Sequence, residues 1–193
     1  MHIEGIEVFI PKSPEHWRQW LIAHHKKETA VWVVFYNKAS GKSVLSWSEA
    51  VDEALCFGWI DSKKVKLDAE RSRQYFSVRK AKGMWSKINK DKVAALIEAE
   101  KMMPAGYASI EVAKQNGSWT FLDAVEDLQV PEDMQTMLQQ NKGAEAYYES
   151  LSPSTRKFML TWILMAKRAE TREKRIREIC EAAAKGEKPK MFR

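Results

Sequence analysis

Cysteine is scarce. The 193 residues contain two, Cys56 and Cys180, both in segments with helical periodicity. There is no C-x-x-C pair and no metal-ligand spacing with the four histidines. A disulfide framework is thereby excluded, no metal site is expected, and free buried thiols in a reducing compartment are expected. No apolar run approaches the length of about 20 residues that spans a bilayer, so no membrane insertion is expected. The opening MHIEGIEVFIP lacks a charged segment followed by an apolar one. No signal peptide is therefore expected, and a cytoplasmic location is. Repeats and low-complexity tracts are missing too. The one glycine–lysine turn, Asn37–Lys42 (NKASGK), lacks the GxxxxGK[ST] spacing. It runs into Ser43-Val44-Leu45 rather than a helix, so it is not a phosphate loop. No cofactor is expected.

What the chain does have is apolar and aromatic mass: 45% hydrophobic residues, 10% aromatic, and eight Trp. That suffices for a core. Trp brings a large apolar surface and one N–H that needs a partner, so several Trp should sit at the core boundary or line a groove. The net charge is +6, but its distribution says more. Residues 62–92 carry eleven Lys/Arg against three Asp/Glu, residues 118–153 one against seven, and residues 154–193 twelve against five. Two basic blocks flank an acidic one. Either the faces keep the protein soluble and pack on each other, or the basic blocks meet an anionic partner such as phosphate, nucleotide or nucleic acid.

The stretch Ser46–Asp61 (SWSEAVDEALCFGWID) organises the rest. Ser46 and Glu49 form a capping box. Trp47, Ala50, Val51, Ala54 and Leu55 make an apolar helical stripe, with Asp52 and Glu53 off it. Gly58 ends the helix, Trp59-Ile60 enters a strand, and Asp61-Ser62 closes it. Before it, Ile3, Ile6, Val8 and Ile10 suggest a strand start. Ser13-Pro14 caps a helix to about His25 with Trp17, Trp20 and Leu21 inward and the histidines exposed. Ala30–Tyr36 (AVWVVFY) reads as a buried central strand. After it, Lys63–Leu67 and Gln74–Val78 suggest a hairpin turning at Asp68–Glu70. Ser86 caps a helix with Ile88, Val93, Leu96 and Ile97, and Pro104 begins another that Asn116-Gly117 stops. Short helices follow. The last is capped at Thr171 and halted by Gly186, leaving a frayed basic tail. The expected class is α+β: a small, mainly antiparallel sheet with packed helices over 1–117. A helical C-terminal half, 118–193, is expected to pack on that core.

Four constellations could carry chemistry. The first combines Trp59, Asp61, Arg71, Arg79 and Trp85 with Arg73, Lys80 and Lys82. Asn89, Ser62 and Ser77 would add neutral hydrogen bonds. Guanidinium forks bind anions and indoles stack on planar groups. The competing reading makes Trp59 a core side chain, Asp61 an Arg partner or turn cap, and the lysines a solvated strand face. The second is an acid–base pair drawn from Asp52, Glu53 and Asp61, but Asp52 and Glu53 lie off the buried stripe, so surface solvation is expected for them. The third is Cys56 as a nucleophile. A helix C-terminus raises a thiol's pKa, and no histidine follows closely. The fourth is Lys167–Arg177 as a nucleic-acid helix, although Glu170, Glu173 and Glu178 break its charge. No catalytic residue is assigned.

DEALCFGWIDS (Asp52–Ser62), then Arg71, Gln74, Phe76, Ser77 and Arg79, then WSKIN (Trp85–Asn89) resemble the YdeI/OmpD-associated, or bacteriocin-protection, family. NGSW (Asn116–Trp119), AVEDLQVPEDM (Ala124–Met134) and AKRAETREKRI (Ala166–Ile176) are similar to it as well. The family usually reads F-S-P-R-K-x-K-S-x-W. Here Val78 stands for the proline and Gly83 for the serine. The resemblance implies a small cytoplasmic bacterial protein with a protection or stress phenotype, and it implies no reaction.

Three functions follow as expectations. The first is a non-enzymatic protein binding an anionic small molecule or protein partner around Trp59, Asp61, Arg71, Arg79, Trp85 and Asn89. The second is a nucleic-acid-binding protein using residues 62–92 and 154–193. The third is an enzyme of unknown reaction.

Overall fold

The buried strand is where the sequence puts it. In the computed structural model, which describes residues 2–3 and 5–192, Ala30–Tyr36 forms β3 and its five inner residues are buried. Preceding it are β1 (His2–Ile3), β2 (Ile6–Phe9) and α1 (Pro14–His24); following it are α2 (Trp47–Cys56), β4 (Trp59–Lys66), β5 (Arg71–Val78), α3 (Lys87–Glu98) and α4 (Pro104–Gln115). The strand order is β1-β2-β3-β5-β4, parallel only between β2 and β3. This is the expected α+β arrangement with a mainly antiparallel sheet. Two compact units divide the chain, Met1–Phe121 and Leu122–Arg193.

One sheet face carries Phe9, Val31, Val33, Phe35 and Phe76, which pack with Trp17, Trp20 and Leu21 of α1 and Ala50, Val51, Ala54 and Leu55 of α2. Burying each large side chain contributes about 1.5–3 kcal/mol. Trp17 Nε1 donates to Ala50 O at 3.1 Å, so the indole N–H is satisfied while the ring is buried. Ser13 and Ser46 cap as expected, and the Ser46–Glu49 box is reciprocal.

Gly58, at φ +72, turns the chain out of α2. A Cβ there would lie 2.8 Å from Ala105 O, and one on Gly106 would lie 2.4 Å from Cys56 O. The two backbones touch, and Met103 N donates to Cys56 O at 3.1 Å.

Several expectations need correction. Trp47 is not in the core stripe; it is 50% exposed and turned towards β4. β4 does not close at Ser62 but runs to Lys66 through a bulge between Asp61 and Lys64. His16, His24 and His25 are half-buried: each ring packs on a neighbouring aromatic, and His24 and His25 also bond carbonyls one turn back. Ile88 and Ile97 face outward because α3 buries Val93 and Leu96. Asp52 and Glu53 are half-buried ion-pair partners of Lys92 and Arg18, both at 2.6 Å.

The C-terminal unit is helical: α5 (Asp123–Glu126), α6 (Glu132–Gln140), α7 (Ala144–Ser150), α8 (Pro153–Leu164) and α9 (Ala169–Ala184). Ile176, Ile179, Cys180 and Ala183 of α9 share a core with Met134, Leu138, Tyr148, Met159, Leu160 and Ile163. The cap of α9 is Arg168, not Thr171. The tail is not frayed over Lys190–Phe192, a 3₁₀ turn whose Phe192 ring meets Phe158 at 5.1 Å and Trp162 at 5.5 Å. Among the described residues, no helix is long and apolar enough to cross a membrane.

Gly106→Ala must push two backbones apart, and overpacking of this kind costs about 1–3 kcal/mol. The urea midpoint, followed by tryptophan fluorescence, is expected to fall. An unchanged midpoint would show that the contact yields freely.

Candidate functional site

Alternation along a strand decides which residues line the sheet's helix-covered face. On β5 these are Ser72, Gln74 and Phe76; on β3 they are Val31, Val33 and Phe35. The two helices cover the Phe76–Val33 end. Past the first residues of α2 the face opens into a cleft of about 520 Å³. Phe35, Leu45, Ser72 and Gln74 line it; Ser43–Trp47 forms one side, Lys64 and Lys66 another, and Asp68–Arg71 an end. Its size suits a small molecule, for which clefts run about 300–1,000 Å³.

The charges in it are unevenly used. Asp68 binds Arg71 at 2.7 Å, and Glu70 binds Lys42 at 2.8 Å. The Arg71 guanidinium holds the Asp68 carboxyl below its usual range. Both lining carboxylates are thus already matched. Among the described residues, Lys38, Lys64 and Lys66, which also line the cleft, have no carboxylate partner.

Asp61 positions two of the walls. Its Oδ2 accepts from Trp47 Nε1 at 2.9 Å and from Gln74 Nε2 at 2.8 Å. Gln74 Nε2 also donates to Ser62 O at 3.1 Å. One carboxylate oxygen holds an indole from α2 and an amide from β5, and charge-assisted bonds of this kind are the stronger class.

The six residues singled out from sequence do not form one pocket. Arg71 lies at the cleft and Asp61 behind it. Trp59 is 1% exposed and donates from Nε1 to His25 O at 3.4 Å. Trp85 is 1% exposed, with the Arg79 guanidinium 3.6 Å from its ring centre and Trp119 at 4.9 Å. Burial pushes the Arg79 guanidinium down to about 10, opposed by the charge of Asp61. Asn89 is half-buried in the first turn of α3, its N–H given to Ser86 Oγ at 3.4 Å. Trp59, Arg79 and Trp85 are therefore packing and stacking elements, because a long basic loop folds down onto its own tryptophan. Sequence reading missed Trp47, Lys64, Lys66 and Phe35. The signal available for Trp47 was its place at the first helical position, beside the cap.

Residues 9–109 match the family model described as a domain of unknown function, DUF8412. The chain belongs to the DUF8412 family. In this DUF8412 chain, residues 127–186 match the model described as bacteriocin-protection, YdeI or OmpD-associated, so the resemblance seen in the sequence is shown over that segment. No curated protein and no solved structure matches the chain. Where the resemblance leads one to expect proline, Val78 donates its N–H to Thr29 O at 3.0 Å, a bond proline lacks.

Among the described residues, no cluster of three or more His, Cys, Asp and Glu could hold a metal. Burial raises the Cys56 thiol and pushes Cys180 up to about 11.

A raised thiol pKa leaves little thiolate below that value, so neither cysteine should react with Ellman's reagent at pH 8 in the native protein, and both should after unfolding. Rapid native labelling would contradict this. Asp61→Ala frees the Trp47 indole, and its emission is expected to shift to longer wavelength without loss of fold. Unchanged emission would show that the indole is held by other contacts.

Proposed function

We propose that this DUF8412 protein binds an anionic ligand or partner in the cleft between α2 and the β4–β5 hairpin. The observation that carries the reading is the mismatch of charge. Lys38, Lys64 and Lys66 line the cleft without carboxylate partners among the described residues, while Asp68 and Glu70 are each held by a cation. Trp47 and Phe35 add aromatic surface. The description of the C-terminal match supports a role in bacteriocin protection or a related stress. Two buried free thiols support a reducing, cytoplasmic setting.

A nucleic-acid surface on α9 has less behind it. Arg172 pairs with Asp133, Arg177 with Glu173 at 2.6 Å, and Arg175 lies 5.0 Å from the Trp162 ring centre. Those guanidiniums are engaged inside their own unit.

Calorimetry with sodium tripolyphosphate tests the proposal. Each exposed ion contact contributes about 0.2–1 kcal/mol, so reversing two charges is expected to weaken binding by about tenfold or more. The variant is Lys64→Glu with Lys66→Glu, and wild-type affinity should fall between low and high salt. No binding by the wild type at low salt, or equal binding by the variant, would remove the reading.

A further inference from the structure

The lysines account for charge in the cleft, and one uncharged group there remains unused. Gln74 is 5% exposed yet lines the cleft. Its Nε2 is directed to two acceptors, Asp61 Oδ2 and Ser62 O. Only one amide orientation satisfies both, since both are oxygens that accept. The opposite atom, Oε1, is therefore fixed as an acceptor, and no described residue donates to it. A carbonyl on a cleft wall without a protein donor favours a ligand that brings an N–H over one that lacks it.

The neighbours narrow what such a ligand looks like. Trp47 is held by its Nε1 edge, so it keeps its orientation while half its surface stays open. An indole pinned this way offers a stacking platform for a planar group. Lys64 stands opposite Gln74 in the register, and Lys66 stands opposite Ser72. The step from Gln74 to Ser72 covers about 7 Å of strand, comparable with a sugar. Acceptor, flat ring and unpaired cations thus line one cleft.

We propose that the cleft takes a nucleoside phosphate whose base carries an amino group. The base stacks on Trp47 and donates an N–H to Gln74 Oε1, and the phosphates lie on Lys64, Lys66 and Lys38. Asp61 acts as a positioning residue, holding ring and amide in register. This rests on the anion-binding reading of the same cleft.

The test is calorimetry on the full chain, with Trp47 emission as a second readout. The ligands are ATP, CTP, purine riboside triphosphate, whose base has no N–H, and tripolyphosphate. ATP or CTP is expected to bind at least about fivefold tighter than the other two, the range of one hydrogen bond. Gln74→Met is expected to erase that preference, the affinity for ATP falling to that for purine riboside triphosphate. Should Gln74→Met fail to fold by circular dichroism, the purine riboside comparison on wild type decides alone. Equal affinity for all four overturns the nucleotide proposal and leaves the anion site standing. No binding of any of them overturns both.

Discussion

The architecture of the N-terminal unit depends on a backbone contact with no side chain in it. At the end of α2 the carbonyl of Cys56 accepts from Met103, and Gly58 and Gly106 let the two chains meet closer than a Cβ allows. That contact anchors α4 on the point where the chain leaves α2 for β4. It sets where Trp59 enters the sheet, and with it where Asp61 comes to lie, two residues on. A shift of β4 by one residue would exchange its faces entirely, so a constraint at Gly58 acts on the cleft through the register. The glycines matter here for the space they leave, and at Gly58 also for the left-handed turn.

From that anchor the arrangement becomes electrostatic. Asp61 accepts from the indole of Trp47 and the amide of Gln74, with Arg79 near enough to feel its charge. The same loop lays Arg79 on Trp85, a cation–π contact worth about 0.5–2 kcal/mol. Basic residues that look alike in the sequence divide into two kinds. Arg73 and Arg79 lie over Trp32 and Trp85, while Lys64 and Lys66 stand at the cleft without partners among the described residues.

Much of this was legible in the chain. β3 could be read because a fully buried strand is apolar at every position. The Ser46–Glu49 box could be read because capping is local, and the hairpin because Asp68–Glu70 separates two extended runs. Asp61 was legible as a residue of interest but not as the holder of Trp47 and Gln74, since those contacts span 14 and 13 residues. Trp59 and Trp85 were misleading: an indole reads the same whether it stacks on a ligand or fills a core, and only the fold of the Arg79–Trp85 loop decides. Trp47 failed for a geometric reason. Its spacing fits the apolar stripe, but it lies one turn ahead of the helices that would cover it. The C-terminal tail failed likewise, because one Phe192 suffices to dock a basic segment that composition would leave loose.

The bulge in β4 has a consequence for the whole cleft. Asp61 faces Phe76 and Lys64 faces Gln74, so residues three apart share one side of the sheet. In an unbroken strand they would lie on opposite sides. The inserted residue works as a parity switch: before it, odd positions point to the helices, and after it, even ones do. The bulge absorbs that extra residue, so deleting one from the segment 62–63 would straighten the strand and leave Lys64, then two positions after Asp61, on the same side. The charge of the cleft therefore depends on the bulge as much as on the lysines: were every residue of β4 to pair without it, Val65 would face the cleft in place of its basic neighbours. The wall is thus a property of the register, which can be lost with every lysine still present in the sequence.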